Sequence, residues 1–279
     1  MALHEKCFIQ LFASSNLDQG LFLATFHAKP VDMFRLMMKL LVTFCLLLIG
    51  APATVEGQKR AAPLTRVQTR EAERLLTDLG YWTGRVDGLF DPATRFALVA
   101  FQKWERRPLT GQLTIQELNA IRNASRPGPR DGDYEHVEVD IDRQVVLLID
   151  GKGGVRVLPV STGTDKPFFY DGQQSIAYTP RGRFVVYDKT MGRDEVFPGV
   201  YYPNYISGGI AIHGYDNVPA QPASHGCIRI PMFAAREVSA RLPLGTIVLV
   251  YDRVSFVSAK AWVENPRLKE AALANGALQ

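Results

Sequence analysis

The sequence predicts a mainly β domain, a sandwich or barrel with one packed helix, behind a small three-helix domain. Three observations lead there. Apolar residues recur at helical spacing between residues 60 and 124, the period switches to two from Tyr134 onward, and a stretch rich in proline and glycine separates the two regimes.

In the first regime, Thr65 and Gln68 have capping-box spacing, and Ala72, Leu75, Leu76 and Leu79 then share one helix face before Gly80 ends it. A second helix opens at Asp91-Pro92, an N-cap followed by proline in the first turn. Its apolar positions Ala93, Phe96, Ala97, Ala100, Phe101 and Trp104 keep the 3.6-residue period. A third helix begins at Thr114 with Glu117 three residues on, and Ile115, Leu118 and Ile121 are expected to face inward. Between the first two helices, Gly80 to Gly88 reads as a glycine-punctuated loop with exposed aromatics, Tyr81 and Trp82. Residues 125–133 lose all periodicity and read as a linker.

From 134 to 252 the pattern is β. His136 to Ile141 alternates, Val145 to Ile149 is a buried run, and Asp150-Gly151 with Gly153-Gly154 marks a hairpin into Val155 and Val157. Further strands are expected at 182–187, 209–212 and 246–251, with one helix over Met232 to Leu242. The tail, 253–279, contains a short helix over Ser258 to Val263.

The chain's 47% hydrophobic and 22% charged content suffices for a packed core and excludes disorder or a fibre. A net charge of +4 over 279 residues, without a dense Lys/Arg run, argues against nucleic acid as a partner. Residues 1–57 read as a leader. Arg35 and Lys39 flank an apolar run from Leu40 to Ile49, too short for a membrane span, and Ala51-Pro52-Ala53 has cleavage-site spacing. A signal peptide over 33–53 has normal length, which makes 1–32 an over-extended start. Val42-Thr43-Phe44 before Cys45 is no lipidation box. Cleavage near Ala53 removes Cys7 and Cys45, leaves no membrane span, and delivers to the cell envelope a chain whose one thiol is Cys227.

The chemistry sits where the β pattern breaks. His213-Gly214 follows a strand, and Ser224-His225-Gly226-Cys227-Ile228-Arg229 comes after a polar, proline-containing loop. Cysteine acyl transfer needs a thiol activated by an imidazole, and backbone N–H groups aimed at the oxyanion. It also needs a glycine that lets substrate approach, and a cation for an anionic substrate group. His213 can serve as the base, Gly226 and Cys227 as donors, and Arg229 as the cation, while His136 reads as structural.

Two resemblances extend this reading. The order from Leu79 to Gln102 resembles the peptidoglycan-binding module of wall enzymes, which implies anchoring to glycan with the Tyr81–Asp87 loop as a contact surface. The bipartite His-Gly and Ser-His-Gly-Cys-Ile-Arg pattern resembles the L,D-transpeptidase catalytic domain of YkuD type over roughly 135–252. That resemblance implies a β-rich fold and 3-3 peptidoglycan cross-links made through a cysteine acyl-enzyme. It implies Cys227 as nucleophile, His213 as general base, and Ser224, His225, Gly226 and Gly214 as oxyanion and site-shaping residues. Arg229 is implied on the substrate side; some members have asparagine there. Stem peptides and glycan are the expected partners, with no cofactor and no metal. Hydrolysis through the same acyl-enzyme is a competing function, as is a non-catalytic wall-binding protein. A zinc peptidase is disfavoured because His225 and Cys227 are too close in sequence for typical ligand spacing. The segments Thr164–Tyr178 and Asp188–Ser207 read as lid loops.

Overall fold

The computed structural model describes residues 38–39, 63–132 and 134–276. The expected leader, its cleavage site, Cys7 and Cys45 lie outside the described residues, apart from Met38 and Lys39. No helix among the described residues is long and apolar enough to cross a membrane.

Three helices lead the described fold: α1 (Arg66–Asp78), α2 (Pro92–Trp104) and α3 (Ile115–Arg122). Each starts at the residue whose side chain can cap it: Thr65 in a full capping box, Asp91 onto the Thr94 N–H, and Thr114 onto the Glu117 N–H. Gly80, at φ +98°, lets the chain turn as α1 ends, and the Tyr81 N–H bonds back to the Leu76 carbonyl. Ile115 departs from its expected place. It is exposed in the first turn of α3, and only Leu118 and Ile121 of that trio are buried.

Eleven strands follow among the described residues: β1 (His136–Asp140), β2 (Val145–Ile149), β3 (Val155–Pro159), β4 (Pro167–Tyr170), β5 (Gln173–Ile176), β6 (Gly182–Val185), β7 (Asp188–Lys189), β8 (Tyr201–Ser207), β9 (Ile210–Tyr215), β10 (Ile228–Pro231) and β11 (Ile247–Tyr251). One sheet runs β3-β2-β1-β11-β6 and the other β10-β9-β8-β7, while β4 and β5 form a separate hairpin. Most neighbours are antiparallel, but β1 with β11 and β9 with β10 are parallel. Helix α4 (Met232–Arg241) completes the sandwich, so the mainly β domain with one packed helix is what the chain builds.

Alternation decides which way each strand faces. Val146 and Leu148 of β2 join Val137, Val139, Ile212, Ile228, Ile230 and α4's Ala234 and Val238 in the core between the sheets. Val145, Leu147 and Ile149, on the opposite face of β2, pack instead against Leu76, Leu98, Phe101 and Leu118 of the helical module. The uninterrupted apolar run Val145–Ile149 thus reflects a strand covered on both faces. Across the same seam, Lys103 is 4% exposed and its Nζ donates to the carbonyls of Gln144 at 3.0 Å and Val160 at 2.7 Å. Burial lowers the Lys103 pKa to about 7.

The loop reading of Tyr81 and Trp82 as exposed aromatics is corrected here. Tyr81 is 0% exposed and meets Phe101 edge-on at 5.8 Å, and Trp82 lies in the core between the sheets. The Trp82 N–H bonds to the Val157 carbonyl, so the loop's start is stitched to β3 and its rings point inward. The C-terminal segment also differs from expectation. The short helix is α5 (Lys260–Glu264), and a second, α6 (Pro266–Gly276), follows it, opened by a proline where proline suits a first turn. Phe256, Ala259 and Trp262 cover the outer face of β11 against Ile247, Leu249 and Tyr251.

Under that cover lies a buried polar knot. Glu138, 0% exposed, accepts from the Arg130 N–H at 2.9 Å, the Asp131 N–H at 2.7 Å and the Tyr251 hydroxyl at 2.8 Å. His136 Nε2 lies 3.1 Å from the same carboxylate, and its Nδ1 is 2.9 Å from the Tyr134 carbonyl, which engages both ring nitrogens of this histidine. Glu138→Ala is expected to lower stability by about 3–5 kcal/mol, because three donors lose their acceptor inside the protein. Urea unfolding measures this, and a loss below about 1 kcal/mol would show that the knot is not holding the segment.

Candidate active site

Strand β9 places the first half of the site. The expected strand ended before His213, but β9 continues through Tyr215 because both of its edges are paired: Tyr201 of β8 opposes Gly214, and Arg229 of β10 opposes His213. His213 is therefore held on a central strand, 2% exposed, with Nδ1 2.9 Å from the Gly214 carbonyl. A carbonyl can only accept, so this contact assigns the proton to Nδ1 and leaves Nε2 as the basic nitrogen. Gly214 itself faces α4; a Cβ there would collide with the Ala235 Cβ and sit 3.3 Å from the Met232 sulfur.

Residues 216–227 form the connection from β9 back to its parallel neighbour β10, and Cys227 is its last residue. Several bonds fix this loop. The Thr162 carbonyl takes the N–H groups of Ala223 at 3.0 Å and Ser224 at 2.9 Å, and the Ser161 backbone exchanges two bonds with Arg229. Ser224 Oγ donates to the Cys227 carbonyl at 2.5 Å and accepts from the Gly226 N–H at 3.0 Å. Thr179 Oγ1 donates to the Gly226 carbonyl at 2.6 Å while accepting from the Gly163 N–H at 2.9 Å. Gly226 is required by its backbone: φ is +147°, and a Cβ would lie 2.6 Å from the Ile210 Cδ1 and 2.8 Å from the Tyr178 carbonyl oxygen.

A cavity of about 510 Å3 opens over this seam. Five of the seven sequence-predicted residues line it, namely His213, Ser224, His225, Cys227 and Arg229, whereas Gly214 and Gly226 lie behind the wall. The Gly226 N–H, expected as an oxyanion donor, bonds to Ser224 Oγ. His225 is exposed and stacks flat on Phe168 of β4, centroids 4.2 Å apart at 5°, so the β4–β5 hairpin touches the loop beside the cysteine. The guanidinium of Arg229 sits 4.1 Å over the Tyr215 ring and donates to the Ala223 carbonyl at 3.2 Å.

Sequence reasoning missed Thr179, Asp194 and Tyr205. Tyr205 lines the cavity, its hydroxyl donates to Asp194 at 3.0 Å, and the same carboxylate takes the N–H groups of Val196 and Phe197 at 2.9 Å. Burial raises the Asp194 pKa, yet those three donors together bring it below the ordinary value. Thr179 and Asp194 hold their partners from irregular segments, where no periodicity marks a partner, and Tyr205 of β8 meets Asp194 through its side chain, outside the strand ladder. Among the described residues, no group of three or more His, Cys, Asp or Glu side chains is placed to hold a metal ion.

Burial sets the protonation of the central pair. Desolvation lowers the His213 pKa to about 4, the Gly214 carbonyl raises it, Arg229 lowers it and Asp194 raises it. Desolvation pushes the Cys227 thiol up, against smaller lowering by the Ala211 N–H and Arg229. Both shifts favour a thiol beside a neutral imidazole over the preformed ion pair that the residue types alone would allow, and Sγ lies 3.6 Å from the Gly209 carbonyl. Iodoacetamide, which reacts with thiolate, should therefore label Cys227 slowly at neutral pH and faster as pH rises above the ordinary thiol value. Fast, pH-independent labelling down to pH about 6 would instead reveal a thiolate.

Residues 134–250 match the family model described as L,D-transpeptidase catalytic domain, and residues 65–121 match the one described as "Putative peptidoglycan binding domain". The solved structure of an L,D-transpeptidase from Xylanimonas cellulosilytica is 34% identical, covers 69% of this chain and 96% of that one, and has a TM-score of 0.62. An L,D-transpeptidase (Yku) from Stackebrandtia nassauensis is 19% identical over 70% of this chain and 96% of its own, with a TM-score of 0.40. Among curated proteins, the localization factor PodJL of Caulobacter vibrioides is 40% identical over 50 residues. That match covers 18% of this chain, and the chain spans only 5% of that relative's length.

Proposed function

The chain belongs to the L,D-transpeptidase family, and we propose that it forms 3-3 cross-links in peptidoglycan of the cell envelope through an acyl-enzyme on Cys227. The observation that carries this reading is the pair of Cys227 and His213 on one cavity wall, with the imidazole oriented by the Gly214 carbonyl so that Nε2 is its basic atom. Cys227 Sγ attacks the carbonyl carbon of the third residue of a donor stem. Nε2 of His213 takes the thiol proton as the S–C bond forms, so a neutral imidazole suits the step. The oxyanion falls to the Cys227 N–H, which in a trans peptide points opposite to the Gly226 carbonyl held by Thr179.

His213 then returns its proton to the departing D-alanine nitrogen as the C–N bond breaks, leaving a thioester. An amine of a neighbouring stem attacks the thioester and passes a proton to His213, which hands it to the Cys227 Sγ as the C–S bond breaks, so that the new amide leaves and the thiol and neutral imidazole are restored. Arg229, cavity-lining and cationic, binds an anionic group of one of the stems. Ser224 and Thr179 act as positioning residues that hold the loop.

The experiment is incubation with purified tetrapeptide-bearing wall fragments, followed by mass spectrometry. Cross-linked dimers with loss of D-alanine are expected. Tripeptide as the sole product would overturn transpeptidation in favour of hydrolysis, and loss of activity on chelation would overturn the cysteine route.

A further inference from the structure

We propose that the cleft shared by the helical module and the loop joining His213 to Cys227 binds the glycan strand of peptidoglycan, with Arg95 paired to an anionic group on it; this rests on the cell-wall reading above. The module's other aromatic surface is unavailable, because Tyr81 and Trp82 are buried. What the module does expose is a different set. Phe90 is 43% and Leu109 39% exposed, and both line a cavity of about 490 Å3 together with Arg95, Phe96, Val218 and Pro219.

The two sides of this cleft have different origins. Phe90, Arg95, Phe96 and Leu109 fall within the residues that match the peptidoglycan-binding family model, 65–121. Val218 and Pro219 belong to the connection that ends at Cys227. That connection is fastened beyond them, where Ser161 Oγ donates to the Gln221 carbonyl at 2.8 Å. A polymer lying in the cleft is therefore held against the segment that presents the cysteine.

The wall chemistry fits an amino-sugar polymer with anionic peptide stems. Sugar rings offer apolar faces to aromatic and aliphatic side chains, and Phe90, Phe96 and Leu109 supply these. Arg95 is exposed and, among the described residues, has no ion-pair partner. Asp91, on the same wall, has an oxygen committed to the Thr94 N–H at 2.7 Å as the cap of α2. An arginine that makes no ion pair, beside exposed rings, suits a carboxylate of the peptide stems that the glycan carries.

The test compares the wild-type protein with Arg95→Ala, Phe90→Ala and the double variant, all at exposed positions and each checked for an unchanged melting curve. Two readouts are taken: sedimentation with purified, insoluble sacculi, and turnover of a soluble stem tetrapeptide that bears no sugar. The double variant is expected to bind sacculi about tenfold or more weakly, with turnover of the free tetrapeptide within about twofold of wild type. Unchanged sedimentation of the double variant overturns the proposal, as does failure of the wild type to sediment. An equal collapse of tetrapeptide turnover also overturns it, because the residues would then support the loop's structure and not polymer binding. If the wild type sediments but does not turn over the tetrapeptide, the transpeptidase reading fails while the cleft is still scored by sedimentation.

Discussion

Cys227→Ser is expected to reduce transpeptidation by roughly 10^4-fold or more while leaving the melting temperature almost unchanged. The two halves of this expectation have separate causes. Turnover is lost because the reaction needs a nucleophile that gives up its proton to a neutral imidazole and later leaves as a thiol. An alkoxide is a poorer leaving group than a thiolate. Stability is kept because the loop does not depend on Sγ. Its bonds run through Ser224 Oγ, Thr179 Oγ1 and the Thr162 carbonyl, and the Sγ contact with the Gly209 carbonyl is long at 3.6 Å. Steady-state kinetics on a tetrapeptide donor and a thermal melt measure the two halves. A variant that unfolds would mean that Cys227 is a packing residue, and a variant that keeps its activity would remove it from the chemistry.

His213→Gln is expected to lower turnover by about 10^2–10^4-fold, the range of a removed general base, and to leave residual activity that rises with pH as thiolate becomes available. Glutamine can keep a donor toward the Gly214 carbonyl but supplies no basic nitrogen. Stability should respond in a second way. The imidazole has a folded value of about 4 against an ordinary 6.5, so below 6.5 the unfolded chain binds a proton that the native protein refuses. Wild-type stability therefore falls as pH drops from about 6.5 to about 4, by about 3 kcal/mol for the 2.5-unit difference, and this component disappears in the variant. Urea unfolding at several pH values checks it. Equal acid sensitivity in both proteins, or turnover within a few fold of wild type, would count against the buried neutral base.

Much of the fold was legible because helices and two-sided strands announce themselves by period. The capping pairs at Thr65, Asp91 and Thr114 start the three helices of the module, and Val145–Ile149 was readable as a buried strand. The sequence could not say what buried each face of that strand, since an unbroken apolar run looks the same whatever covers it. Tyr81 and Trp82 were misread for a related reason. Flanking glycines signal a loop, and only the bonds to β3 turn the rings inward. Strand β9 ran further than its apolar residues because pairing on both edges, not composition, extends it through His213.

The candidate site was legible wherever chemistry restricts residue type. Cys227, His213 and Arg229 could be placed together from their identities and spacing, and the structure sets them around one cavity. What holds them was not legible. Thr179 lies 47 positions from Gly226 in sequence and meets it through one bond, and Asp194 reaches Tyr205 across a loop. The protonation state was beyond the sequence as well, because it follows from burial, which raises one member of the pair and lowers the other.

The measurement that tests the central claim most directly is the intact mass of the enzyme after rapid mixing with a soluble stem tetrapeptide and acid quenching. The mechanism predicts a transient adduct equal to the donor less D-alanine, located on Cys227 by peptide mapping and absent from Cys227→Ser. Turnover without any adduct, or an adduct that persists in Cys227→Ser, would contradict it.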